Sequence, residues 1–188
     1  MLNRIVLLAL MLAVTFGAAT HARADEAAAW AALRAGGHVA LMRHTDAPGG
    51  TGDPPGFKLE DCATQRNLSE RGRAEAAAIG ARLKTEGIAF EKILSSPWCR
   101  CMDTARLLDM GSVEPASTFG NVVVLHDQTE ALTDGARALI AAWQRTGTLL
   151  VVTHGANIRA LTGISPATGE IVVVDESIEA IGRIRRRP

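Results

Sequence analysis

The stretch His38-Val39-Ala40-Leu41-Met42-Arg43-His44-Thr45 decides the reading of this chain. Val39–Met42 is apolar, too short for a surface helix, and bounded by turn formers: Gly36-Gly37 before it and Pro48-Gly49-Gly50 after it. It therefore reads as a buried strand. The run ends abruptly in a guanidinium and an imidazole. Open α/β sheets place their sites at the carboxyl ends of strands. A second copy of the arrangement follows late in the chain, where Leu149-Leu150-Val151-Val152 runs into Thr153-His154-Gly155.

Outward from these two strands, segments alternate in type. Residues 27–33 are Ala-rich and favour a helix. Residues 48–66 are rich in Gly and Pro without periodicity, a loop long enough to suggest a functional role. Ser69 stands at an N-cap position, followed by Ala76, Ile79, Gly80 and Leu83 at helical spacing, with Gly87 as the stop. A short strand is expected at Ile93-Leu94, and a helix after Pro97 carrying Arg100, Thr104 and Leu107. Further expectations are a strand at Val122–Leu125, a helix from Gly135 to Gln144, a short helix from Asn157 to Leu161, and strands at 171–174 and 178–184. Strands alternating with helices predict an α/β fold with a mainly parallel sheet.

Residues 1–24 read as a separate leader. Arg4 precedes an apolar run from Ile5 to Ala19, and Ala22-Arg23-Ala24 is a small-x-small cleavage pattern that would leave Asp25 as the mature N-terminus. The run is short for a membrane span. Residues 25–188 then form one domain, expected in the periplasm or secreted, with no membrane attachment once the leader is gone. The whole chain of 188 residues is balanced at 20 Lys+Arg and 20 Asp+Glu. That balance does not suggest a nucleic-acid or membrane-surface binder, and the basic tail from Arg183 to Arg187 reads as a solvated end. Of the three cysteines, an exported chain would pair Cys62 with either Cys99 or Cys101. A zinc site is disfavoured, because Cys99-x-Cys101 lacks the usual spacer and has no second pair.

Arg43, His44, Arg100 and His154 are the candidate site. Arginine's planar fork matches phosphate oxygens. A neutral imidazole is a nucleophile near pH 7, and a second imidazole donates to charge that develops on an equatorial oxygen. Helix N-termini after Pro97 and Gly155 would add backbone donors. The set suits phosphoryl transfer with no metal or cofactor.

These residues carry a resemblance. Leu41-Met42-Arg43-His44-Thr45 is similar to the Arg-His-Gly signature of the histidine phosphatase superfamily, the phosphoglycerate-mutase-like branch. Leu68-Ser69-Glu70-Arg71-Gly72, Ser96-Pro97-Trp98-Cys99-Arg100-Cys101-Met102-Asp103-Thr104-Ala105 and Val151-Val152-Thr153-His154-Gly155 resemble three further blocks of that family, in its order. The resemblance implies a three-layer α/β sandwich. It implies His44 as the phosphorylated nucleophile, with Arg43, Arg100 and His154 holding the phosphoryl group. It implies a small phosphorylated substrate. Thr45 departs from the family's Gly, and a β-branched residue restricts the backbone there.

A leaving alkoxide needs an acid, and no motif fixes one. Glu130 and Asp127 are the first choices, with Asp46, Asp53 and Asp61 open. Asp46, Gln65 and Arg66 are candidates for a substrate loop. The resulting expectation is an exported phosphomonoesterase. A mutase, or a phosphatase acting on phosphohistidine, fits an exported chain less well. The alternatives are a phosphate-ligand binder without turnover and an interaction domain of the cell envelope.

Overall fold

The computed structural model describes residues 25–143 and 146–186. The leader expected over 1–24, and residues Gln144 and Arg187, lie outside these. None of the described helices is long and apolar enough to cross a membrane.

A six-stranded sheet carries the fold, in the order β3-β2-β4-β1-β5-β6. The strands are β1 (Val39–Arg43), β2 (Phe90–Ser95), β3 (Val113–Pro115), β4 (Thr148–Thr153), β5 (Ile171–Val174) and β6 (Ala180–Ile184). β3, β2, β4 and β1 run parallel, and β5 and β6 are antiparallel additions at one edge. The helices are α1 (residues 25–35), α2 (Glu70–Thr85), α3 (Cys99–Leu107), α4 (Thr129–Ala141) and α5 (Gly155–Thr162).

Alternation along the central strands divides the core into two layers. Ala40, Met42, Leu150, Val152, Ile171 and Val173 face one side and pack with Trp30, Leu33, Leu83 and Ala105 of α1, α2 and α3. Val39, Leu41, Leu149, Val151, Val172 and Val174 face the other and pack with Ile140, Ile158 and Leu161 of α4 and α5. Because both faces are covered, β1 is apolar from Val39 to Met42 and β4 from Leu149 to Val152, rather than alternating. The fold is the expected three-layer α/β sandwich with a mostly parallel sheet. α2 starts where Ser69 caps it, its hydroxyl accepting from Gly72 N at 2.9 Å. α2 lies tight against the end of α3: a Cβ at Gly80 would come within 2.0 Å of the Leu108 carbonyl oxygen.

Four expectations need correction. Val122–Leu125 is a turn, not a strand. The Asn121 carbonyl accepts from both Val124 N and Leu125 N, and its side chain accepts from Val123 N, so these amides are satisfied without a ladder. The sheet instead gains the edge strand β3, which the sequence reading missed. α4 begins at Thr129, six residues ahead of Gly135; Gly135 is a mid-helix residue beside the Thr118 side chain. β6 begins at Ala180 rather than Ile178, because Asp175 Oδ1 accepts from Ser177 N and Glu179 N and Ile178 turns at φ +65°. α5 begins at Gly155, two residues ahead of Asn157.

Cys62 pairs with Cys99, with Cα atoms 5.7 Å apart, and Cys101 is a buried free thiol. The bridge ties the long loop after β1 to the start of α3 across 37 residues of sequence. Closing a loop of that length should stabilise the fold by about 4 kcal/mol on the chain-entropy model. A reducing agent should lower the urea midpoint accordingly, and a Cys62→Ser, Cys99→Ser variant should match the reduced wild type. An unchanged midpoint would mean that the loop is held by its other contacts alone.

Candidate active site

β1 and β4 are parallel neighbours in register, with Arg43 opposite Thr153. The residues that follow each strand therefore emerge at the same sheet edge. His44 N donates to Thr153 O at 3.0 Å, and the His44 and His154 rings lie 5.6 Å apart, edge to face at 71°. Both side chains are almost fully buried. They line a cleft of about 300 Å³ together with Arg43, Arg66, Asn121 and Arg159. A larger groove of about 380 Å³, walled by Trp30, Ile79 and Leu83, lies on the α1–α2 side and contains neither histidine.

The tautomer of His44 follows from its neighbour. Nδ1 lies 2.8 Å from the Thr45 carbonyl oxygen, which can only accept, so Nδ1 carries the proton. Nε2 keeps its lone pair. Burial, together with the positive charge of Arg100, Arg66 and Arg43, pushes the His44 pKa down to about 3. Burial and the same cations also push His154 well below its ordinary value of 6.5. Both rings are neutral at physiological pH. Nδ1 of His154 lies 3.5 Å from Arg100 Nη2, a donor, and Nε2 is 2.8 Å from Ser96 Oγ. His154 therefore accepts at Nδ1 and donates to Ser96.

A pH dependence of stability follows. The unfolded chain takes up these protons near 6.5, while the folded chain resists to about 3 at His44. Below 6.5 the denatured state binds more protons, so stability falls with pH through that window. The urea midpoint should drop from pH 7 to pH 4 in the wild type, and drop less in a His44→Gln variant. Equal slopes for the two proteins would contradict the neutral, buried imidazole.

Thr45, in place of glycine, fits without strain, because its φ is not in the positive region. Its N–H donates to Thr104 Oγ1 at 3.2 Å, and its hydroxyl meets the same atom. The β-branched residue thus joins the nucleophile's turn to α3. Gly155 lets Arg43 lie across the α5 start, since a Cβ there would be 3.2 Å from Arg43 Cδ. His154 makes no side-chain cap on α5, so the first amides of α5 remain at the cleft. The start of α3 is different: Cys99 N donates to Gln65 Oε1 at 3.0 Å. That amide is not a free anion donor.

The carboxylates lie elsewhere. Asp127 is exposed and pairs with His126 at 3.0 Å. Glu130 is exposed in the first turn of α4. Asp46 accepts from Ser69 Oγ at 2.6 Å and pairs with Arg71, and these two partners hold its carboxyl below the usual range. Asp61 accepts from Ala63 N and starts a short 3-10 turn. Asp53 is buried against Arg100: Nη1 donates to Oδ1 at 2.7 Å and Nη2 to Oδ2 at 3.1 Å. None of these five residues lines the cleft. Gln65 is also structural, spanning Cys99 N and the Leu59 carbonyl. Among the described residues no cluster of three His, Cys, Asp or Glu is placed to hold a metal ion. The sequence reading did not single out Arg159 or Asn121 as site residues. Arg159 falls five residues after His154, one helical turn into α5, and that spacing was its only signal.

With this geometry described, comparison with known proteins gives a consistent picture. The family model of the histidine phosphatase superfamily (branch 1) matches residues 39–118. Among solved structures, the chain is similar to the protein histidine phosphatase SixA complexed with tungstate. That match has a TM-score of 0.52 and 22% identity, over 76% of this chain and 92% of that one. A mycobacterial glucosyl-3-phosphoglycerate phosphatase matches with TM-score 0.53 and 18% identity, over 72% of this chain and 88% of that one. A phosphoserine phosphatase from Entamoeba histolytica, in complex with 3-phosphoglyceric acid, matches with TM-score 0.54 and 14% identity, over 72% and 89%. At these identities the likeness establishes the fold. No curated protein sequence matches the chain.

Proposed function

We propose that this chain, whose residues 39–118 match the family model of the histidine phosphatase superfamily, branch 1, is an exported phosphohydrolase that works through a phosphohistidine on His44. The observation that carries the reading is the His44 ring itself, neutral, with Nδ1–H fixed on the Thr45 carbonyl and Nε2 unprotonated in a cleft lined by arginines. Nε2 attacks phosphorus, the N–P bond forms, and the bond from phosphorus to the leaving group breaks. Positive charge on the ring is taken up by the Nδ1–H hydrogen bond. Water then attacks the phosphohistidine, releasing phosphate and the neutral imidazole. Arg43 and the α5 amides face the charge that develops on the phosphoryl oxygens.

Export rests on the residue 1–24 pattern and is supported by the Cys62–Cys99 bridge, which persists in oxidising compartments. The cleft lining contains no carboxylate, so a substrate whose leaving group departs without a carboxylic acid fits it best. Aryl phosphates and acyl phosphates meet that condition better than alkyl esters.

The test is a panel of phosphorylated compounds assayed with EDTA, on wild type and His44→Ala. Metal-independent turnover that needs His44, faster for aryl than for alkyl esters, is the expected result. Tight phosphate binding without turnover of any compound would instead identify a binding protein.

A further inference from the structure

Resting on that reading, the distribution of arginine donors assigns a residue the family pattern does not. A guanidinium has five N–H groups in a fixed fork. Arg100 uses four of them inside the protein. Nη1 donates to Asp53 Oδ1 and to the Arg66 carbonyl oxygen at 3.2 Å. Nη2 donates to Asp53 Oδ2 and faces His154 Nδ1. Only Nε lacks a partner. The side chains of Arg100 and Asp53 are both fully covered. Turning the Arg100 fork to a phosphoryl group would strand a buried carboxylate, which is strongly unfavourable. Asp53 is held by two further donors, Trp98 Nε1 at 3.0 Å and Arg66 N at 3.1 Å.

Arg66 is disposed the other way. Nε donates to the Gly52 carbonyl at 2.9 Å and Nη1 to the Ala47 carbonyl, and among the described residues Nη2 has no hydrogen-bond partner. Among the described residues no carboxylate makes a salt bridge to its side chain, although the Asp53 charge acts on it at longer range, and it lines the cleft beside Arg43 and His44. Arg43 is similar: Nη1 donates to the Pro166 carbonyl at 2.9 Å, and Nε is unpartnered. The chain fixes Arg66 from two directions. Asp53 accepts its backbone N–H, and the preceding Gln65 is locked on Cys99, itself bridged to Cys62.

We infer that Arg66, presented by the disulfide-tied loop, is the second arginine of the phosphoryl grip alongside Arg43, and that Arg100 is a positioning residue that seats Asp53, the loop and His154. The loop is then a fixed wall of the pocket and supplies binding groups itself.

Orthovanadate, which binds whether or not a substrate is known, is the probe. Its affinity should be measured for oxidised wild type, Arg66→Ala, Arg66→Lys and Arg100→Lys, and the wild-type complex should be crystallised. Loss of a charge-assisted contact predicts about 10- to 100-fold weaker binding for Arg66→Ala, with part of the loss recovered by Arg66→Lys. Arg100→Lys cannot reproduce the fork on Asp53, so it should lower Tm and loosen the loop while weakening vanadate less than Arg66→Ala does. In the complex Arg66 Nη2 should meet the anion while the Asp53–Arg100 pair stays closed.

Vanadate affinity unchanged in Arg66→Ala would overturn the inference. So would a complex in which Arg100 has left Asp53 for the anion, or a wild type that does not bind vanadate. The complex decides the matter even if the alanine variant fails to fold. Labelling of His44 with vanadate bound away from Arg66 would sink this inference and spare the phosphohydrolase reading. Vanadate on Arg66 with no labelling of His44 would do the reverse.

Discussion

Replacing His44 with alanine should reduce turnover by on the order of 10⁴-fold or more, the scale seen when a covalent nucleophile is removed. Only one ring in the cleft is prepared for attack. His154 is the other imidazole there, but its nitrogens face Arg100 and Ser96. With both nitrogens engaged it cannot replace the nucleophile. Acid-labile phosphate on histidine, trapped by rapid quench with a labelled substrate, should appear in wild type and vanish in the variant. The fold should persist, because His44 contributes a single side-chain hydrogen bond, to its own neighbour's carbonyl. Its backbone N–H bond to Thr153 O is retained. Residual turnover above about one per cent of wild type would mean that water attacks phosphorus directly in a pocket of arginines, because electrostatic stabilisation alone leaves only that kind of remainder.

The sequence revealed the sheet edge and concealed what is built over it. β1 and β4 are legible because strands buried on both faces must be continuously apolar, and the histidines sit at the breaks. α2 is legible because Ser69 makes its cap from local residues. Val122–Leu125 was misread as a strand because β-branched composition outweighed Asn121, whose carbonyl and side chain satisfy the nearby amides locally. The loop from Asp46 to Leu68 has no period, so its contacts could not be inferred from pattern. Its decisive pairing joins Asp53 to Arg100 across 47 positions. The same pairing explains why an acid was hard to assign. Asp53 is one of the three carboxylates that stay open behind Glu130 and Asp127, and the structure gives it to the arginine that the family resemblance reserves for phosphate.

That buried pair should also be the most costly single point at which to cut the fold. Burial on its own would raise the Asp53 carboxyl, but the donors from Arg100, the Arg66 amide and Trp98 outweigh it and hold the group ionised, below its ordinary value of 3.8. Asp53→Ala would remove the carboxylate that pairs with Arg100 and leave a guanidinium covered on all sides. Uncompensated charges of this kind destabilise by roughly 3–5 kcal/mol. For a domain of this size that is a fall of about 6–20 °C in Tm, to be read by calorimetry under oxidising conditions. Trp98 Nε1 and the Arg66 amide would lose their acceptor as well, so the loop should loosen despite the disulfide. Asp53→Asn keeps the shape and one acceptor and should fall between alanine and wild type. Exchanging both partners for apolar residues, Asp53→Leu with Arg100→Met, should recover part of the loss, because neither charge then needs solvating while Trp98 Nε1 and the Arg66 amide still lack their acceptor. A Tm for Asp53→Ala within about 2 °C of wild type would mean that Arg100 finds water or another acceptor in solution. Its fork would then be free for a phosphoryl group, and the division of labour between Arg66 and Arg100 would fall with it.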